Sequence, residues 1–438
     1  MTKKEETTLN FDTIALHGGQ VMDSVTRSRA VPLYQTTSYG FEDSDHAASL
    51  FKMEKEGYIY SRNANPTNAV LEKRLAQLEG GNGAFAVSSG QAAISIALLT
   101  LAKAGDEIVA TNALYGGTYN LFSVTFPRFG VKVRFVDGRD PIAVAAAITD
   151  KTKAVFTETI GNPGLQIADL KVLSEIAHEK GIPLVVDSTF TTPYLQKPLE
   201  YGADIVVHSI TKFVGGHGTS IGGAIIDSGK FPWDNGKYPE FTVKKPSLNN
   251  RSYLEVGGSN ALIVKARFEL GHDLGASLSP FNGWLFIQGL ESLSLRVRQH
   301  VSNAEKVAAF LDANEHVAWV NYPTLKDNPQ YELAKTYLPK GAGSIFTFGI
   351  KGGLEAGKRF IDSVNLLSHV ANVGDSKTLV IHPASTTHSR LLPEEQVEAG
   401  VTPEQIRLSI GLEDIEDIIN DIDQALEAAV KYSEASKG

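Results

Sequence analysis

The chain has 438 residues, enough for two or three domains, and its 42% hydrophobic and 21% charged residues are ordinary for a globular protein. A net charge of −9 argues against general affinity for nucleic acid or acidic membrane surfaces, and zero cysteines exclude disulfides, thiolate metal sites and a cysteine nucleophile. No apolar stretch approaches the ~18 residues of a spanning helix, and the opening "MTKKEETTLNF" lacks the apolar core of a signal peptide, so a cytoplasmic protein is expected.

From about residue 66 the pattern alternates between helix and strand. "NPTNAVLEKRLAQLEGG" carries apolar residues at 71, 75 and 78, with Gly80 where a helix would stop. Short apolar runs follow: "AFAV" at 84, "EIVA" at 107, "KVRFV" at 132, "KAVFT" at 153, "IPLVVD" at 182, "DIVV" at 204 and "GGAII" at 222. Helical stretches such as "QAAISIALLTLAKAG" and "LKVLSEIAHEKG" separate most of them. Strands alternating with helices predict a mostly parallel sheet covered on both faces, with ligands bound beyond the carboxyl ends of its strands. Residues 228–258, rich in Gly, Pro and Asn, read as an excursion or lid-like loop. After a helical stretch near 284–314, strands at "SIFTFGI" and "IRLSIG" and an amphipathic helix with apolar residues at 415, 418, 419, 422, 426 and 429 predict a smaller C-terminal α/β domain.

Several side chains converge on the predicted strand ends. Lys212 follows "DIVVHSIT"; a strand-end lysine is ordinarily a solvated charge, but this one has Ser209 and Thr211 beside it and five glycines between 215 and 223. A desolvated lysine has a lowered pKa and can form a Schiff base with a carbonyl. "AVSSGQAAISIALL" is a strand, a tight turn through Ser88, Ser89 and Gly90, and a helix; it is either a small-residue N-cap or a phosphate site made of helix N–H groups. Asp187 closes "IPLVVD", either as a cap on "STF" or as a buried carboxylate paired with a protonated pyridine nitrogen. Tyr115, ahead of two glycines, is either a core tyrosine in a turn or a ring that stacks on a flat cofactor and offers its hydroxyl. Arg407, inside an apolar strand, is a structural ion-pair member or a bidentate carboxylate clamp.

A Schiff-base lysine with an aspartate for a pyridinium nitrogen is what a protein supplies to pyridoxal 5′-phosphate chemistry. With "LHGGQ", "LYGGTYNLF", "ETIGNPGLQIADL", "SITKFVGGHGTSIGG" and "NVGDSKTLVIHPASTTH", the chain resembles the Cys/Met-metabolism family of pyridoxal-phosphate enzymes over nearly its whole length, and within it the O-acetylhomoserine sulfhydrylase branch.

The resemblance implies an aspartate aminotransferase-like, fold type I architecture. Residues 1–65 would form an arm reaching a neighbouring active site, 66–283 a large cofactor domain with a seven-stranded sheet, and 284–438 the C-terminal domain. It makes Lys212 the Schiff-base lysine, Asp187 the pyridinium partner and Tyr115 the stacking ring. Ser89, Gly90, Gln91, Ser209 and Thr211 would hold phosphate, joined by Tyr60 and Arg62 from a neighbouring subunit, while Asn162 and Arg407 would hold the substrate carboxylate. Phe213, where a tyrosine often follows the lysine, and Gly116, in place of the cysteine of methionine γ-lyase, fit the sulfhydrylase branch.

The implied reaction is γ-replacement: O-acetyl-L-homoserine plus sulfide, or a thiol such as methanethiol, to L-homocysteine or L-methionine, in a homo-oligomer built as a dimer of dimers, with no metal. Cystathionine γ-synthase, the γ-lyases and, from another class, a non-catalytic nucleotide-binding α/β protein are the rival expectations.

Overall fold

The computed structural model describes residues 9–161, 164–390, 392, 394, 396 and 400–435. All seven expected runs are strands of one sheet: β1 (Gly83–Val87), β2 (Glu107–Thr111), β3 (Lys132–Val136), β4 (Thr152–Glu158), β5 (Leu184–Asp187), β6 (Ile205–His208) and β7 (Gly223–Asp227). Their order is β1-β7-β6-β5-β4-β2-β3, with β7 antiparallel to both neighbours and every other pairing parallel. The runs read as continuously apolar because both faces are covered. Leu184 and Val186 of β5 enter one core and Val185 the other, and β6 divides Val206 from Ile205 and Val207 in the same way.

Local chemistry places the flanking helices. Helix Pro66–Glu79 starts where the Asn65 side chain accepts the Thr67 N–H at 2.9 Å, with Pro66 at its first position, and stops where Gly80 turns left-handed at φ 76°. Its Leu71, Leu75 and Leu78 are fully buried. The stretch near 284–314 is two helices, Pro280–Glu291 and Leu293–Ala313, broken at Ser292.

The second sheet has five strands, ordered β10-β11-β12-β9-β8. Two were expected, β9 (Ile345–Ile350) and β12 (Gln405–Ser409); β8 (Val317–Asn321), β10 (Ser368–His369) and β11 (Leu379–Ile381) were not. The last two span two and three residues, too short for a periodic signal. Helix Ile415–Ala435 packs Ile418, Ile422, Leu426 and Ala429 inward, as its pattern predicts.

The 228–258 excursion is not a lid. Phe231, Trp233, Tyr238 and Phe241 are buried, with Trp233 stacked on Phe241 at 4.4 Å between ring centroids. Tyr238 donates its hydroxyl to the Lys153 carbonyl at 2.7 Å, and Asn235 donates to the Gly181 carbonyl at 3.0 Å. Those acceptors lie at the amino ends of β4 and β5, away from the strand ends that carry Lys212 and Asp187. Four aromatics within eleven residues outweigh the turn-forming residues between them.

Candidate active site

The carboxyl ends of β1, β2, β4, β5 and β6 share one edge of the large sheet, and β7, running the other way, begins there. After β1, Ser89 caps helix Gly90–Leu101 by accepting the Ala92 N–H at 3.1 Å. Among the described residues no protein acceptor is found for the N–H groups of Gly90 and Gln91. A Cβ on Gly90 would lie 2.6 Å from the Ser209 Cβ, and one on Gly223 would collide with the Ser89 carbonyl, so three segments meet here at glycine contact distance.

At the end of β5, Asp187 accepts the Thr189 N–H at 2.9 Å, and the Thr189 hydroxyl in turn accepts the Ser209 N–H at 2.8 Å. Burial pushes the Asp187 carboxyl above its ordinary value, opposed by the Thr189 hydrogen bonds and by His208. Lys212 follows β6 and donates to the Asn372 side-chain oxygen. Burial lowers its pKa, and the positive charge of Arg407 lowers it further. Arg407 projects from β12; it pairs with no carboxylate among the described residues, and burial lowers its pKa while Tyr115 opposes the shift. Tyr115 is half exposed, and its backbone N–H donates to Glu158 at 2.7 Å. Its ring shares the space over Gly117 with the Gln91 amide: a Cβ there would lie 2.5 Å from the ring and 2.6 Å from Nε2.

Lys212, Asp187, Tyr115, Arg407, Ser89, Gly90, Gln91 and Ser209 thus gather at one edge. Thr211 is less available than expected, because its hydroxyl donates to the Gly222 carbonyl at 3.1 Å and accepts the Gly222 N–H at 3.0 Å. Tyr60 and Arg62 pair with each other, the guanidinium 5.2 Å from the ring centroid; no hydrogen bond, ion pair or ring contact among the described residues joins them to the Lys212 cluster. Asn162 lies outside the described residues. Sequence reasoning missed Asn372 and Glu158. Asn372 sits in "NVGDSKT", a recognised motif, but 160 residues separate it from Lys212 and only folding pairs them. Among the described residues no group of three or more His, Asp or Glu is placed to hold a metal ion, and no helix is long and apolar enough to cross a membrane.

These residues fit pyridoxal phosphate. The unclaimed N–H groups of Gly90 and Gln91 open a helix, the Gln91 Oε1 is buried without a partner, the Lys212 amine is desolvated, and a buried carboxyl faces the same edge.

Comparison with known proteins gives the family. The Cys/Met metabolism PLP-dependent enzyme family matches residues 12–427. The chain is 54% identical to an O-acetyl-L-homoserine sulfhydrylase of Leptospira meyeri, over 95% of this chain and 96% of that protein. It is 50% identical to a homocysteine synthase of Schizosaccharomyces pombe, over 96% and 99%. A Campylobacter jejuni structure assigned as O-acetylhomoserine (thiol)-lyase, with a pyridoxyl-lysine phosphate, superposes at a TM-score of 0.92 with 42% identity, covering 96% of this chain and all of that one. A Lactobacillus plantarum cystathionine γ-lyase gives 0.82 and 31%, with the same coverage. The fold is therefore that of the fold type I pyridoxal-phosphate enzymes, and the chain belongs to the Cys/Met metabolism PLP-dependent enzyme family.

Proposed function

We propose that this protein is an O-acetylhomoserine sulfhydrylase, converting O-acetyl-L-homoserine and sulfide to L-homocysteine and acetate in methionine biosynthesis. The observation that carries the reading is about 50% identity over nearly the full length of relatives bearing that activity's names, joined to a site whose lysine, carboxyl and phosphate cradle fit the cofactor. When bound, pyridoxal phosphate supplies the electron sink that makes the substrate α-proton removable.

The residues divide the work. The desolvated Lys212 amine is neutral over a wider pH range than an ordinary lysine, so it could anchor the cofactor and, once freed by exchange with the substrate amine, take the proton from Cα. Asp187 holds the proton on the ring nitrogen. Ser89, Gly90, Gln91, Ser209 and Thr211 hold phosphate, Thr211 by turning its hydroxyl from Gly222. Arg407, paired with no carboxylate among the described residues, would clamp the substrate carboxylate with Asn162. Tyr115 would cover the cofactor ring and serve the amine or leaving-group proton.

Acyl preference follows from charge. An acetyl ester needs no cation beyond the one that clamps the substrate carboxylate, whereas a succinyl ester would need a second to pair its distal charge. Gly116 is not small for want of room, since a Cβ there meets nothing within 4 Å; its lack of a thiol supports replacement over elimination.

Tyr60 and Arg62 serve a neighbouring subunit in a homo-oligomeric dimer of dimers in the cytoplasm. The division into 1–65, 66–283 and 284–438 belongs to the same proposal. The test is a matrix of O-acetyl- and O-succinylhomoserine against sulfide, methanethiol and cysteine, with product identification. O-acetylhomoserine with sulfide is expected to be fastest and methanethiol slower; preference for O-succinylhomoserine with cysteine would overturn the reading.

A further inference from the structure

Arg296 stands in the first turn of helix Leu293–Ala313, almost fully buried, with no carboxylate in ion-pair reach among the described residues. Its guanidinium is spent on neutral acceptors instead. Nη1 donates to the Phe213 carbonyl at 2.7 Å, and Nη2 donates to the Gly289 carbonyl at 2.7 Å and the Val214 carbonyl at 3.2 Å. Nε donates to the Ser292 hydroxyl at 3.2 Å. A buried cation without a counter-charge is costly, and burial alone pulls its pKa down to about 10. That cost falls on the two residues that directly follow Lys212.

The surroundings are cut to admit this contact. A Cβ on Gly216 would collide with Nη1, and one on Gly289 would collide with the Val214 carbonyl. Gly216 also holds φ at 72°, so the turn depends on glycine twice over. The other side of the turn is strapped by segment 372–376. Gly374 lies where a Cβ would sit 3.1 Å from the Lys212 Cβ, and the Ser376 hydroxyl and N–H both donate to the Gly216 carbonyl, at 2.6 and 2.8 Å. His300, from the same helix as Arg296, sets its ring edge-on to Phe213 at 5.3 Å.

We infer that Arg296 is a positioning residue for Lys212: by gathering the Phe213, Val214 and Gly289 carbonyls it fixes the turn from which the reactive amine projects. A lysine here would put one nitrogen where three carbonyls and a hydroxyl are now reached by three, so the planar fork is the relevant property. The inference rests on Lys212 being the amine that holds the cofactor.

The test compares wild type with Arg296→Met and Arg296→Lys. In the cofactor-free protein, competitive acetylation over a pH series, read by mass spectrometry at Lys212, gives the amine's titration midpoint. In the loaded enzyme, kcat and KM are measured separately. Borohydride reduction of wild type with pyridoxal phosphate, followed by peptide mapping, checks the underlying assignment.

Loosening the turn should admit water, so in Arg296→Met the Lys212 midpoint rises toward that of an ordinary lysine. Its kcat should fall about 10²-fold, the scale of a small misplacement of a reacting group, while KM changes little. Arg296→Lys should recover part of both, and decides the matter by the same readouts if Arg296→Met does not fold. A folded variant with lowered melting temperature but unchanged midpoint and kcat would overturn the inference, leaving Arg296 a packing residue. Borohydride label on a lysine other than Lys212 in wild type would overturn both the functional reading and this inference.

Discussion

At Asp227, on the far end of β7 from the site, burial pushes the carboxyl up to about 7; the Gly229 N–H at 2.9 Å opposes the shift and the Asp204 charge adds to it. Its second oxygen is buried without a partner. The unfolded group titrates near 3.8, so between there and about 7 the folded state holds an extra proton, and stability falls as pH rises through that window. Asp227→Asn keeps the acceptor for Gly229 without the charge. It should melt above the parent at pH 8, with the difference shrinking toward pH 5; a pH-independent difference in calorimetry would contradict this. Asp187 is also raised by burial, but it lies at the edge where Lys212 and the Ser89–Gly90–Gln91 turn meet. Asp187→Asn should fold normally and load cofactor, yet lose at least about 10²-fold in turnover because an amide cannot stabilise a charged ring nitrogen. Near-normal turnover in a fully loaded variant would leave Asp187 as the cap on Thr189.

Among the elements, the excursion separates stability from catalysis most sharply. Trp233 stacks on Phe241 and meets Phe231 at 4.7 Å and Tyr238 at 5.2 Å, all on the amino-end side of the sheet. Trp233→Ala should cost roughly 3–5 kcal/mol in denaturant unfolding through lost contacts and a cavity, while KM and kcat of the remaining folded enzyme stay near wild type. A large change in KM would restore the lid that the fold argues against. The lid-like alternative for the excursion fails because Gly, Pro and Asn signal turns locally, whereas the sheet end its aromatics cover is set by contacts with Lys153 and Gly181 far along the chain. The opposite held for helix Ile415–Ala435, whose spacing of buried Ile and Leu follows the turn of the helix itself.

At the scale of the whole molecule, the segment before residue 65 bears on assembly. Val21, Val25 and Phe51 in the segment before residue 65 are 83%, 88% and 65% exposed. Tyr60 and Arg62 stand in the same segment and, among the described residues, make no hydrogen bond, ion pair or ring contact with their own chain's Lys212 cluster. Both observations support sites completed across a subunit boundary. Mixing Arg62→Ala with Lys212→Ala chains should therefore restore a fraction of activity, because one hybrid site receives both intact residues. No recovery in hybrids proven by mass spectrometry would assign Arg62 to its own subunit.

The large sheet and the residues at its strand ends were legible because their signals are local. Continuous apolar runs report strands buried on both faces, and Ser89–Gly90–Gln91, Asp187 and Lys212 each sit immediately after such a run, so chain order alone placed them at one edge. The sequence by itself thus determined the sheet and, with the family resemblance, the cofactor, and it marked the strand-end residues proposed to carry the chemistry. What only the tertiary structure decided is how that chemistry is held: Asn372 against the Lys212 amine, Glu158 beneath Tyr115, Arg296 on the carbonyls after Lys212, and Thr211 turned toward Gly222. Asn372, Glu158 and Arg296 reach their partners across 160, 43 and 83 residues, and a hydrogen bond spanning such distances leaves no periodicity in the chain; it exists only when packing brings donor and acceptor to about 3 Å.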